Sequence, residues 1–289
     1  MKTIALVNTP QSPCPWTHNA ACMEFIQGFR DFGYEPSEAT SLEQCIGKDI
    51  LLLSDHNVNF DYLHTMNQLN PNAVYLLWFY FDHIEKLPFQ KYILTGEQYY
   101  SPPTLPNHSR IYNIAIQQKN YQPLLLRTNE MPDKIGTYPK NIRYDGCFIG
   151  TPYKPEWGTA VPNSVYHNIA KSGLLNAEQR REMYLSSKIC FGFHHPNNIA
   201  NSHVTQRVFE GLSYGCVVIS DNPAARNMTD GIVEYAPDFT TFQKLFDYYC
   251  NHPIEAEKKR IAGYAWAKQY GTNRYAAKLF LDKIAELWA

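Results

Sequence analysis

The sequence predicts an α/β protein made of two serial halves, each a parallel sheet covered by helices. Three observations predict it. The chain has 289 residues, more than one hydrophobic core usually organises, so two domains of about 140 residues each are expected. Apolar runs of strand length alternate with amphipathic stretches in both halves, as in buried parallel strands joined by helices. A polar segment broken by two prolines, residues 128–140, separates the halves and reads as a junction. The expected domains are 1–130 and 131–289.

The elements follow in order. Residues 3–7 are a strand. Residues 19–32 form an amphipathic helix, with Met23, Ile26, Phe29 and Phe32 three apart and Phe25 beside them, ending before Gly33. Gly28 weakens it. Residues 49–53 (Asp-Ile-Leu-Leu-Leu) are a buried strand that ends at Ser54-Asp55-His56. Residues 60–69 read as a helix, 73–80 and 91–94 as strands, and 111–116 and 123–126 complete the half. In the second half a strand at 144–149 ends at Gly150. A helix at 176–186, a strand at 188–193, a helix at 204–214 and strands at 216–220 and 232–235 follow. Helices at 240–250, 253–270 and 273–288 close the chain. Ala277, Phe280, Ile284 and Leu287 line one face of the last.

Composition excludes several classes. Hydrophobic residues make up 44% and charged residues 18%, a globular balance. The net charge of -1 gives no basic excess for nucleic acid, so none is expected as a partner. No apolar run approaches the about 20 residues of a membrane span, so a transmembrane segment is not expected and peripheral membrane contact stays open. The chain runs straight into its first strand without a leader pattern. The cysteines at 14, 22, 45, 147, 190, 216 and 250 show no Cys-x-x-Cys or zinc spacing. Cys147, Cys190 and Cys216 lie in apolar runs, as reduced thiols of a cytoplasmic protein would. His194-His195 has no third ligand at a suitable spacing, so no metal is expected. Aromatics reach 14%, with 21 Tyr, which suits either an aromatic core or a sugar-binding cleft.

The segment 202–222, Ser-His-Val-Thr-Gln-Arg-Val-Phe-Glu-Gly-Leu-Ser-Tyr-Gly-Cys-Val-Val-Ile-Ser-Asp-Asn, carries the chemistry. At about 100° per residue, Val204, Val208 and Leu212 form an apolar stripe. His203, Gln206, Arg207, Glu210 and Tyr214 gather on the other side. Gly215 suits a left-handed cap. The strand that follows ends at Ser220-Asp221-Asn222, the edge where open α/β sheets bind ligands. The helix start at Asn201-Ser202 offers free N–H groups and a positive dipole end to a diphosphate. Glu210 can accept from a ribose diol, and Arg207 can neutralise a phosphate. The same spacing also describes an exposed ion pair worth about 0.2–0.5 kcal/mol and no function.

Arg207-Val208-Phe209-Glu210-Gly211-Leu212, then Gly215-Cys216-Val217-Val218-Ile219, resembles the R-x-F-E-A-L-x-x-G-x-x-V-I signature of GT-B glycosyltransferases. The CgeB-like, group-1-related set is the nearest, and exostosin-type enzymes are the second choice. The resemblance spans the second half of the chain, from Tyr144-Asp145 through Ser187-Lys188-Ile189 to the closing helices. It implies an α/β GT-B fold, two Rossmann-like domains facing a cleft with C-terminal helices. It implies a donor that is a UDP- or GDP-linked sugar, a glycan or other hydroxyl acceptor, and no required cofactor or metal. Glu210 would then bind the donor ribose and Arg207 would face the diphosphate. Ser202 stands eight residues before Glu210, where group-1 enzymes carry a first Glu. That departure leaves retention and inversion both open.

Further donor candidates lie at the same edge. Gly150 starts a strand-to-loop segment in which Lys154 reaches a phosphate or sits solvated. His194 contacts a substrate or is a loop histidine. Thr205 adds a hydroxyl to the phosphate or caps the helix. Asn222 closes the motif strand. An inverting enzyme needs a general base; His18 stands in the loop after the first strand, which borders the acceptor in GT-B folds, and Asp55 and His56 lie at the carboxyl end of the strand at 49–53. The rival reading is a binding protein that keeps the nucleotide pocket without transfer.

Overall fold

The computed structural model describes the chain except residues 13, 15, 55–58, 79–86, 96–117, 124–126, 201 and 289; for 16–18, 20, 21, 54 and 78 it describes the backbone alone. The expected elements at 111–116 and, for the most part, 123–126 lie outside the described residues. The chain forms two compact units. Met1–Gln98, Leu105–Asn129 and Asn273–Ala289 make the first, and Tyr99–Thr104 with Glu130–Thr272 make the second. The helices are α1 (Trp16–Gln27), α2 (Leu42–Cys45), α3 (Phe60–Leu69), α4 (Pro155–Thr159), α5 (Ile169–Ser172) and α6 (Ala177–Leu185). They continue with α7 (Pro196–Ala200), α8 (Gln206–Ser213), α9 (Pro223–Met228), α10 (Phe239–Asn251), α11 (Pro253–Tyr270) and α12 (Asn273–Trp288).

The first unit holds a parallel sheet of β1 (Lys2–Val7), β2 (Tyr34–Ala39), β3 (Ile50–Ser54), β4 (Val74–Trp78) and β5 (Tyr92–Thr95), in the order β2-β1-β3-β4-β5. Alternation sorts the apolar side chains to its two faces. Ile4, Leu6, Ile50, Leu52 and Leu76 pack with Phe25, Phe29 and Phe280 on one side. Ala5, Val7, Leu51, Leu53 and Leu77 pack with Leu63 and Met66 on the other. Because both faces are buried, these strands read as unbroken apolar runs.

Three features depart from expectation. β2 has the sequence Tyr-Glu-Pro-Ser-Glu-Ala, with no strand signature. Its edge position tolerates Pro36, which cannot donate to a ladder on both sides. α1 starts earlier than expected and stops at Gln27. A Cβ on the next residue, Gly28, would lie 2.8 Å from the Arg274 amide nitrogen, so the glycine admits the start of α12. The last helix, counted with the second half in the sequence reading, therefore belongs to the first unit. Phe280 packs against Phe25 with ring centroids 5.5 Å apart.

The second unit repeats the plan with β6 (Tyr144–Gly150), β7 (Ser164–Asn168), β8 (Ser187–Gly192), β9 (Val217–Ser220) and β10 (Glu234–Tyr235), ordered β10-β9-β8-β6-β7 and all parallel. β7, a half-buried edge strand of sequence Ser-Val-Tyr-His-Asn, escapes pattern reading. The winding direction reverses between β6 and β8, and in such sheets that reversal opens a crevice at the carboxyl ends of the strands. Lys140, in the expected junction, fixes two helices above it. Its Nζ donates to the carbonyls of Tyr184 (3.2 Å), Tyr214 (3.1 Å) and Gly215 (2.7 Å), at the carboxyl ends of α6 and α8. A cation there complements both helix dipoles. Gly215 takes the expected left-handed conformation, with φ 72°. Cys147, Cys190 and Cys216 are buried free thiols. No helix among the described residues is long and apolar enough to cross a membrane.

Candidate functional site

Arg207 and Glu210 sit on α8, whose residues Val208 to Ser213 are all buried. The helix begins at Gln206, two residues after the expected helix start at 204 and four after Ser202, where the sequence places its ligand-binding start. Ser202 has φ 56° and lies in a turn outside the helix, while Thr205 is the N-cap residue and makes no side-chain cap. The start of the helix is thus formed by Thr205, Gln206 and Arg207.

Arg207 lies across the reversal point. Its guanidinium carbon stands 4.4 Å above the Phe148 ring of β6, and Nη1 donates to the Phe193 carbonyl just after β8. Its Nε is enclosed and without a hydrogen-bond partner among the described residues. No carboxylate there forms an ion pair with it. Burial lowers its pKa from the ordinary value, yet a guanidinium stays charged at neutral pH. The result is a part-buried cation that forms no ion pair among the described residues, with Asp221 acting on it only through the longer-range field.

Gly150 makes the space for it. This last residue of β6 has φ 152°, and a Cβ would overlap the Arg207 Nη2 and stand 2.9 Å from its Cζ. Gly150→Ala should therefore cost about 2–4 kcal/mol through backbone strain and displacement of the guanidinium. A urea unfolding curve measures it, and a loss under 0.5 kcal/mol would contradict the packing.

Glu210 is only 6% exposed. Its Oε1 accepts from Arg180 Nε at 3.1 Å and from Gln206 Nε2 at 3.5 Å. The exposed Arg207–Glu210 pair allowed by the spacing is thereby replaced by a buried arrangement in which Glu210 pairs with Arg180. Arg180 Nη1 also donates to the Leu175 carbonyl at 3.2 Å. A pocket of about 170 Å³ brings Gly150, Thr205, Arg207 and Glu210 together. Arg180 and Tyr184 of α6 join them, and Leu174 and Leu175 form an apolar wall. Sequence reading missed Arg180. The signal was a helix, Ala-Glu-Gln-Arg-Arg-Glu-Met-Tyr-Leu, with almost no apolar stripe, Tyr184 being its one buried residue. Such a helix docks through polar groups.

The other candidates form a supporting chain. His194 is buried, with Nδ1 3.0 Å from Asp221 Oδ1, which also accepts its backbone N–H at 2.9 Å. The Thr205 amide donates to His194 Nε2 at 3.2 Å, which fixes the neutral Nδ1–H tautomer. Lys154 pairs with Asp221 Oδ2 at 2.9 Å and lies 4.3 Å from the Trp157 ring. It is half-buried and does not line the pocket around Arg207 and Glu210. Asn222 is buried, donates to the His203 carbonyl at 2.6 Å and caps α9 through the Ala224 amide. His194, Lys154 and Asn222 thus hold the start of α8 in place. Of the base candidates, Asp55 and His56 lie outside the described residues. His18 lies in α1, and its side chain is not described. Among the described residues no cluster of three or more His, Cys, Asp and Glu could hold a metal ion.

Burial lowers the His194 pKa against the opposing pull of Asp221. Burial raises the Asp221 carboxyl, but His194 and Lys154 outweigh it and hold the pKa below its ordinary value. The fold therefore binds fewer protons than the unfolded chain at both groups. The His194 contribution is complete above about pH 6.5 and is lost as pH falls from there through the folded pKa. The Asp221 contribution follows below about pH 3.9. Unfolding midpoints in urea should fall between pH 7 and pH 5, and His194→Gln should flatten that fall. An unchanged slope in the variant would contradict the assignment.

The glycosyl transferase-like family model matches residues 135–282. No curated protein matches the sequence. Among solved structures, an alpha-glucosyltransferase in complex with UDP is similar at a TM-score of 0.68 and 9% identity, covering 99% of this chain and 100% of that one. An alpha-glucosyltransferase with UDP and a 13-mer DNA containing a HMU base gives 0.67 and 9%, covering 98% and 99%. A glycosyltransferase from Rickettsia africae ESF-5 gives 0.58 and 11%, covering 99% and 98%. At these identities the likeness is one of fold, and the fold is that of GT-B glycosyltransferases. With a family match over just more than half of its length, the chain belongs to the glycosyl transferase-like family.

Proposed function

We propose that the protein moves a sugar from a nucleoside diphosphate donor to an acceptor hydroxyl, and that the pocket at the β6–β8 reversal holds the donor. The observation that carries this reading is Arg207, a part-buried cation on the first turn of α8 with no carboxylate paired to it among the described residues. A buried charge is stable only when it is compensated, and an anion at the helix start supplies the compensation. The diphosphate takes that position. Glu210, with about four lone-pair sites on its carboxylate, accepts from the ribose diol beside Arg180 and Gln206. Leu174 and Leu175 flank the base. As the donor bond breaks, negative charge grows on the leaving diphosphate, and a preorganised cation and helix end stabilise that charge most. No metal is needed for this, so turnover should persist in chelator.

The finer placement in the CgeB-like set rests on Arg207-Val208-Phe209-Glu210 together with Ser202 in place of a first Glu. UDP is the first nucleotide to test, since it is the one bound in the alpha-glucosyltransferase structures. The acceptor falls to the first unit, with Asp55, His56 and His18 as the base candidates for an inverting reaction. A net charge of -1 favours a glycan or other uncharged acceptor over nucleic acid. The test is nucleoside diphosphate release from UDP- and GDP-linked sugars, with and without glycan or modified-base DNA. Release stimulated by an acceptor supports the reading. Nucleotide binding without turnover on any donor favours the non-catalytic binding protein, and no binding at all removes the donor site.

A further inference from the structure

We infer that Arg180 is a positioning residue that keeps Glu210 and Arg207 apart, so that each charge stays available to the ligand. The inference rests on the donor-site reading. Residues three apart on a helix are neighbours, and opposite charges so placed pair readily. Arg207 and Glu210 have that spacing, yet the carboxylate is held from the other side. Arg180 Nε donates to Glu210 Oε1 at 3.1 Å, and no ion pair joins Arg207 to an acid among the described residues. Arg180 is itself held. Its Nη1 donates to the Leu175 carbonyl at 3.2 Å, and Asn176 and Gln179 close a capping box at the start of its helix.

The consequence is a division of charge. With Arg180 present, Glu210 faces the nucleoside end of the pocket and Arg207 faces the phosphates. Without it, Arg207, three residues earlier on the same helix, is placed to pair with Glu210. A Glu210–Arg207 pair would neutralise the phosphate-binding charge and withdraw the ribose acceptor together. Loss of a charge-assisted contact corresponds to about a tenfold or larger fall in affinity.

Titration calorimetry with UDP and with inorganic pyrophosphate, which has no ribose, tests this. The variants are Arg180→Gln, which keeps a donor for the Leu175 carbonyl; Arg180→Lys, which keeps the charge; and the double variant Arg180→Gln with Glu210→Gln. Arg180→Gln should weaken both ligands about tenfold or more, and Arg180→Lys should keep pyrophosphate affinity. The double variant should regain pyrophosphate binding while UDP stays weak. A merely structural arginine gives no such recovery when a second charge is removed. Unchanged pyrophosphate binding in Arg180→Gln, or no recovery in the double variant, overturns the inference alone. A wild-type protein that binds neither ligand overturns the donor site as well.

Discussion

Replacing Arg207 by methionine should lower the rate of transfer about 100- to 1000-fold, the usual loss when one preorganised stabiliser of transition-state charge is removed. Methionine fills much of the space over Phe148 without the charge, so the loss reports electrostatics more than packing. The contact with the Phe193 carbonyl also goes, at about 1 kcal/mol of stability, and relief of a desolvated cation offsets part of that. Arg207→Lys should be nearly as damaging. An ammonium can neither lie flat on the ring nor present a planar fork to the Phe193 carbonyl and a phosphate at once. The readout is kcat at saturating donor, with thermal unfolding as control. A fall under fivefold in a folded variant would remove Arg207 from the chemistry.

Glu210→Ala should raise the donor Kd about 10- to 150-fold, the equivalent of one charge-assisted hydrogen bond of about 1.5–3 kcal/mol to the ribose. An exposed surface pair would give about 0.5 kcal/mol at most, so the size of the effect separates the two readings of this helix. Removing the carboxylate also leaves Arg180 without its partner at 3.1 Å, and some stability should be lost with affinity. Glu210→Gln separates these effects. It keeps an oxygen for Arg180 and one acceptor for the sugar, so its Kd should fall between wild type and alanine. Calorimetry with UDP measures both variants.

Much of this was legible in the sequence because burial writes itself into apolar runs. β1, β3, β6, β8 and β9 are covered on both faces and read at once as strands. β2 and β7 were missed because edge strands need fewer apolar residues and tolerate Pro36. The Arg207–Glu210 motif was legible as a pair on one helix, but not the geometry that separates them. Glu210 is held by Arg180 across 30 residues of chain, and periodicity reports only neighbours on one element. Ser202 reads as a helix start because serine is a good cap residue, whereas it lies at φ 56° in a turn closed by its own amide on the Ile199 carbonyl and by the His203 amide on the Asn198 carbonyl. Lys154 and His194 were correctly placed at the carboxyl edge. Their joint partner, Asp221, became visible only when β6, β8 and β9 stood side by side.

The most direct measurement is a crystal structure of the protein with a nucleoside diphosphate. The account predicts the diphosphate at the first turn of α8, in contact with Arg207, and the ribose hydroxyls on the Glu210 carboxylate. A nucleotide seated elsewhere, or one bound here with its ribose turned away from Glu210, would contradict it.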